Sequence, residues 1–260
     1  MANSDPFEHI RIERDGGIRR LILDRPPLNI LNVGMLREME EALGLIEGDP
    51  DATVLLVTGE GRAFCAGVDV ADHTADKVHD MIRVFHGALS RMAALELPVI
   101  AAVNGVTAGA GFSLALCCDM RVGSENASFV TVFSERNLPP EGGMSYLLPR
   151  VVGMGRAMDL ILTSRRVDAQ EAYRMGLLDR LVAPKDLLSA ARDIAARMCE
   201  LPPAAVRITK RSVRRAMDAD FGASTEYETQ GGRFTAQTPK DGVESRLSFR
   251  EKRKPVYTGR

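Results

Sequence analysis

Residues 98–119 read Pro98-Val99-Ile100-Ala101-Ala102-Val103-Asn104-Gly105-Val106-Thr107-Ala108-Gly109-Ala110-Gly111-Phe112-Ser113-Leu114-Ala115-Leu116-Cys117-Cys118-Asp119. No charged side chain falls between Val99 and Cys118, so by length alone the run fits a membrane span of about 20 residues. Its interior argues for buried soluble core instead. Asn104, Gly105, Thr107, Gly109, Gly111 and Ser113 punctuate it, Pro98 precedes it and Asp119 closes it. Val99–Val103 reads as a buried strand, and Gly109–Cys118 as a helix entered through glycines.

The same layout occurs upstream. The β-branched and leucine run Thr53–Thr58 fits a buried strand. It leads into the loop Gly61-Arg62-Ala63-Phe64-Cys65-Ala66-Gly67. Ahead of it, His9–Glu13 and Ile18–Asp24 alternate as strands around Asp15-Gly16-Gly17. Asn32 suits the N-cap of a helix over 33–46, and a second amphipathic helix is predicted over 75–94. Beyond Asp119, short strands are predicted at 120–122 and 128–132, then a loop, or a loop entering a helix, at 138–146. Helices follow at 156–162, 169–175, 185–200, 206–217 and 227–237, and the tail is the one remaining strand candidate. Strands alternating with helices define an α/β architecture. Residues 1–184 form its core, and 185–260 a helical C-terminal region.

Composition narrows the function classes. With 34 Lys+Arg against 35 Asp+Glu the net charge is −1, without the basic excess of a general nucleic-acid binder. Met1 to Glu13 is polar and carries Asp5, so no secretory signal is expected. Cys65, Cys117, Cys118 and Cys199 make no CxxC pair. They read as reduced residues of a cytoplasmic protein, not as a disulfide framework. His9, His73, His79 and His86 fall in no HExxH pattern, even with Asp69 and Asp72 near His73, so no metal is expected.

The two glycine-flanked strand ends are the chemical feature. Ligands of open α/β sheets bind beyond the C-terminal ends of strands. Two small-residue turns side by side either permit helix-against-sheet packing or aim two backbone N–H groups at one oxygen. The second arrangement is an oxyanion hole, and a helix dipole would reinforce one donor. Neither segment is GxGxxG, and no GxxxxGK[ST] is present. Glu141 lies in Leu138-Pro139-Pro140-Glu141-Gly142-Gly143-Met144. It is either a surface-turn glutamate or a carboxylate fixed at a cleft edge and able to shuttle a proton. Met81, Phe85 and Met144 point to an apolar pocket.

The chain resembles the crotonase (enoyl-CoA hydratase/isomerase) superfamily over nearly its whole length. The resemblance rests on Asp24-Arg25-Pro26-Pro27-Leu28-Asn29, Gly61 through Asp69, and Pro98 through Gly105 continuing to Asp119. It continues in Leu147-Leu148-Pro149-Arg150-Val151-Val152-Gly153, Ala169-Gln170-Glu171-Ala172 with Gly176-Leu177, and Phe249-Arg250-Glu251-Lys252-Arg253-Lys254. It implies a crotonase-like spiral of repeated ββα units with a C-terminal helical region, assembled as a homo-trimer or hexamer. It implies an acyl-CoA substrate, with CoA as part of the thioester and no permanently bound cofactor, and neither nucleic acid nor membrane insertion. By the same resemblance, the backbone N–H groups of Cys65 and Ala110 form the oxyanion hole. Ala63, Ala66 and Val68 line the CoA path, and Phe249 and Lys252 help hold CoA.

The resemblance also has gaps. The hydratases' two glutamates correspond to Ser113 and Phe133 here, so both carboxylates are absent. Glu141 falls where enoyl-CoA isomerases, dienoyl-CoA isomerases and a dehalogenase carry an aspartate. The expected activity is therefore a double-bond shift with Glu141 as the single acid/base. Ala66 through Thr74 is similar to cyclic dienoyl-CoA hydratases, which makes a divergent enoyl-CoA or cyclic dienoyl-CoA hydratase the first alternative. A non-catalytic oligomeric protein of the same fold is the second.

Overall fold

The computed structural model describes residues 7–72, 74 and 77–259. His73 and the expected helix start at Ala75 lie outside the described residues. In chain order the first elements are β1 (Ile10–Asp15), β2 (Ile18–Leu23), α1 (Val33–Glu47), β3 (Val54–Gly59), β4 (Ala63–Cys65) and α2 (Val78–Ala94). Then come β5 (Val99–Val103), β6 (Val106–Ala108), α3 (Ala110–Cys117), β7 (Met120–Ser124) and β8 (Ser128–Val130). After them run α4 (Met144–Val152), α5 (Met154–Thr163), β9 (Val167–Asp168), α6 (Ala169–Arg174) and β10 (Arg180–Val182). Four helices end the chain: α7 (Leu187–Cys199), α8 (Pro203–Ala216), α9 (Phe221–Thr235) and α10 (Pro239–Glu251).

The larger sheet has the order β1-β2-β3-β5-β7-β10, and the smaller one β4-β6-β8-β9. From β3 onward, successive turns of chain put one strand in each sheet before the next helix. β3-β4-α2 and β5-β6-α3 are the clearest repeats, so β4 and β6 are parallel neighbours just as β3 and β5 are. This is the ββα spiral that the resemblance implies.

The uninterrupted apolar strands follow from burial on both faces. Leu55 and Val57 of β3, with Val99, Ala101 and Val103 of β5, enter the main core among α1, α2 and α3. Val54, Leu56, Ile100 and Ala102 point the other way, onto Leu187, Ala191, Ile194 and Ala195 of α7. Alternation with period two thus divides one hydrophobic run between two cores. The uncharged stretch 99–118 becomes β5, β6 and α3. Among the described residues no helix is long and apolar enough to cross a membrane.

Several elements differ from the sequence-based expectation. Ala63–Cys65 forms the strand β4 where the sequence predicts a loop, and β6, β9 and β10 are strands that the sequence pattern does not predict. Each spans two or three residues, too few to display a period. The tail is the helix α10 rather than a strand, with Pro239 in its first turn. α9 starts at Phe221, ahead of Tyr227, because the Asp220 carboxylate accepts the Ala223 N–H as an N-cap.

Candidate active site

β4 and β6 bring the two small-residue turns together. Cys65 pairs in parallel with Thr107, two residues before the Gly109 that opens α3. The approach is close enough to dictate residue type. A Cβ on Gly111 would lie 2.1 Å from the Cys65 carbonyl oxygen and 2.7 Å from its carbon. Only glycine lets the first turn of α3 rest on that peptide. Ala110 is the first residue of α3, and the first intrahelical donors are Phe112 and Ser113, both to the Gly109 carbonyl. The Ala110 N–H therefore has no acceptor within the helix and sits at the positive end of its dipole. The Cys65 thiol is fully buried, and burial pushes it up to about 12. It is neutral and unreactive at physiological pH, so any contribution from this residue comes from its main chain.

A buried asparagine holds β4 in place. The Asn29 side-chain amide donates to the carbonyls of Ala63 (2.8 Å), Glu60 (3.0 Å) and Phe64 (3.3 Å), and its oxygen accepts the Arg25 N–H. Asn104 adds bonds to the carbonyls of Gly61 and Ala63. Ala63 is thereby fixed and buried, while Ala66 and Val68 are half-buried beside residues 28–31. Nothing in the local pattern around Asn29 announces this role, because the carbonyls it binds lie 31 to 35 residues away. Asn29→Ala removes the side-chain donor to the Glu60 and Phe64 carbonyls and one of the two at Ala63, and is expected to cost about 2–4 kcal/mol. Urea unfolding of the variant checks this.

The Glu141 loop is fastened to the other end of the first turns of α3. The Ser113 hydroxyl donates to the Glu141 main-chain carbonyl at 2.7 Å. Gly142, with φ +64°, lies so close that a Cβ would be 2.8 Å from Ser113 Cβ, 2.8 Å from Phe85 and 2.6 Å from Leu89. Ala110 and Ser113 are three residues apart, on one face of α3 and about 4.5 Å along its axis. The structure thus brings Cys65, Ala110, Ser113 and the half-buried Glu141 to one end of one short helix. Phe85, against Gly142, and Met144, bonded to the Glu141 carbonyl, are buried beside it, and Met81 is buried as well. Phe133 is buried as well, and its carbonyl accepts Arg136 and Leu138 N–H groups. No carboxylate stands at position 113 or 133. Just before Phe133, Val132 holds φ +54°, a conformation that costs a β-branched residue about 1–3 kcal/mol. Its side chain abuts Gly109.

Phe249 and Lys252 are not brought to this group. Phe249 is 85% exposed, and among the described residues no hydrogen bond or ion pair of α10 reaches β4 or α3. The bonds of α10 run to the tail instead. The buried Asp241 carboxylate accepts the N–H groups of Thr258 and Gly259, and Glu244 takes Arg253 and the Val256 N–H. The Arg253 guanidinium, then the Val256 N–H, hold the Glu244 carboxyl down to about 2 from an ordinary 4.5. Because the folded-state value is depressed, this clasp is complete above pH 4.5 and is lost as pH falls toward 2. The Val256 amide resonance is expected to titrate with a midpoint near 2, whereas a midpoint near 4.5 would contradict the clasp.

Among the described residues the histidines stay apart from the site. His79 and His86 lie on α2, facing solvent. Glu8, His9 and Glu38 form a surface group, but the Glu38 carboxylate is taken by the backbone N–H groups of Glu8 and His9.

Comparison with known proteins places this architecture. The enoyl-CoA hydratase from Bacillus anthracis superposes with a TM-score of 0.94 at 32% identity, covering 97% of this chain and 100% of that one. The fold is thus that of the crotonase superfamily. The family model for enoyl-CoA hydratase/isomerase matches residues 13–260, and the chain belongs to that family. The short-chain-enoyl-CoA hydratase of Clostridium acetobutylicum is 33% identical over 255 residues, 95% of this chain and 97% of that protein. The 1,2-epoxyphenylacetyl-CoA isomerase of Escherichia coli is 34% identical over 266 aligned positions, 98% of this chain and 100% of that protein.

Proposed function

We propose that this protein acts on acyl-CoA thioesters and shifts a carbon–carbon double bond, with Glu141 as its single acid/base. The thioester carbonyl oxygen accepts the N–H groups of Cys65 and Ala110. The Glu141 carboxylate removes a proton from C2 of a 3-enoyl-CoA, and the electron pair delocalises onto the thioester oxygen as a dienolate. Those two donors stabilise the developing charge. The protonated Glu141 then returns the proton to C4, giving 2-enoyl-CoA with no atom gained or lost. One carboxylate serves both steps because the dienolate persists between them.

The observation that carries this proposal is the fastening of the Glu141 loop one helical turn from Ala110, while positions 113 and 133 hold serine and phenylalanine. A hydratase mechanism needs groups that position and activate water. The Ser113 hydroxyl is committed to a carbonyl, and Phe133 has no proton to exchange. Ala63, Ala66 and Val68 are proposed to line the CoA path. Residues 185–260 are proposed to mediate a trimer or hexamer, and Phe249 and Lys252 to contact CoA within that assembly. Incubation with 3-enoyl-CoA is expected to yield 2-enoyl-CoA without oxygen from labelled water, and absence of conversion would refute the proposal.

A further inference from the structure

We infer that Ser113 is a positioning residue for Glu141. On this inference, the site occupied by a carboxylate in the hydratases has become the anchor of a different carboxylate's loop. It rests on the proposed role of Glu141 as base. Ser113 is fully buried, and its hydroxyl donates to the Glu141 carbonyl at 2.7 Å.

The loop needs such an anchor. Glu141 is followed by Gly142 at φ +64° and Gly143 at φ +79°, two residues whose backbones are the least restricted of any. Among the described residues the Glu141 carbonyl otherwise accepts only the 3.3 Å bond from Met144 that starts α4. The Cys117 thiol, at 3.8 Å from the Gly142 carbonyl, is a weak donor. The strong side-chain bond to this loop therefore comes from Ser113, and it acts on the main chain of the residue that carries the reactive carboxylate. An error of about 1 Å in a reacting group costs about 10²-fold in rate.

The same packing excludes the hydratase residue. The Ser113 Cβ already meets Gly142 closely, and the position is fully buried. A glutamate there would have to displace the Glu141 loop. The two arrangements are alternatives in this chain: a carboxylate at 113, or a held carboxylate at 141.

The test compares Ser113→Ala, Ser113→Cys, Glu141→Gln and Ser113→Ala/Glu141→Gln in the full-length protein with 3-enoyl-CoA. Turnover and exchange of substrate C2 protons with D2O are both measured. Ser113→Cys fills the serine's space with a weak donor, so it separates loss of the hydrogen bond from loss of packing and serves if the alanine variant does not fold. Both single Ser113 variants are expected to lower kcat and the exchange rate about 10- to 100-fold, with KM within about twofold. The double variant is expected to be no slower than Glu141→Gln alone, because the serine acts only through the glutamate. Full kcat in Ser113→Cys, with Glu141→Gln inactive, would overturn the anchoring role alone. Additive losses in the double variant would overturn it too. Full activity in Glu141→Gln would overturn the base itself and the inference built on it.

Discussion

Glu141→Gln is expected to slow conversion of 3-enoyl-CoA to 2-enoyl-CoA by about 10²- to 10⁴-fold, the range supplied by a positioned general acid/base. The amide keeps the size of the side chain and its half-buried setting, so folding and CoA affinity are expected to stay near wild type. What disappears is the acceptor for the C2 proton. Ser113 and Phe133 supply no second carboxylate to take over. The loss should therefore fall on kcat, with KM changed little, as expected for an interaction made only in the transition state. Steady-state kinetics on the purified variant, with a thermal melt to confirm folding, reads both.

Gly111→Ala is expected to have the second largest effect, by a different route. The added methyl would sit 2.1 Å from the Cys65 carbonyl oxygen, well inside contact distance and against backbone that cannot rotate away. The first turn of α3 must then lift off β4, which separates the Cys65 and Ala110 peptides. Overpacking of this kind costs about 1–3 kcal/mol of stability. Loss of an aligned oxyanion donor costs about 10²- to 10³-fold in kcat. Gly155→Ala is the matched control, since no atom outside its neighbours and its own helix backbone lies within 4 Å of the Cβ it would add. A melting point and kcat near wild type in Gly111→Ala would show that the two turns do not need their observed contact.

The fold was legible where the chain repeats itself. Thr53–Thr58 and Val99–Val103 are long enough to read as strands, and each opens into small residues before the next element. That order alone indicates an α/β protein with paired strand ends. Asn32 and the apolar spacing of 33–46 likewise announce α1, and Asn32 does cap it, accepting the Met35 N–H. Of the second sheet only β8 is legible in the sequence, because β4, β6 and β9 are so short. Their pairing depends on neighbours a full spiral turn away.

The site divides along the same line. Glu141 stood out from its proline and glycine neighbours, and Cys65 and Ala110 from their glycine-flanked turns together with the family resemblance. The roles of Asn29, Gly111 and Ser113 did not, since each is defined by a partner distant in sequence. For Ser113 that partner is a carbonyl 28 residues on, and no side-chain pattern marks a carbonyl. The position reads as a missing glutamate until the loop is seen lying against it. The tail shows the limit of residue matching. Phe249 and Lys252 match the family's CoA-holding positions, yet within one chain they stand apart from β4 and α3.

The central claim is that one carboxylate carries a proton from C2 to C4 over a thioester held by backbone amides. The most direct measurement uses 3-enoyl-CoA deuterated at C2, incubated in water enriched in heavy oxygen, with the product read by mass spectrometry and NMR. The account predicts 2-enoyl-CoA that contains no solvent oxygen and carries part of the C2 deuterium at C4. A 3-hydroxyacyl-CoA bearing solvent oxygen, or recovery of unchanged 3-enoyl-CoA, would contradict it.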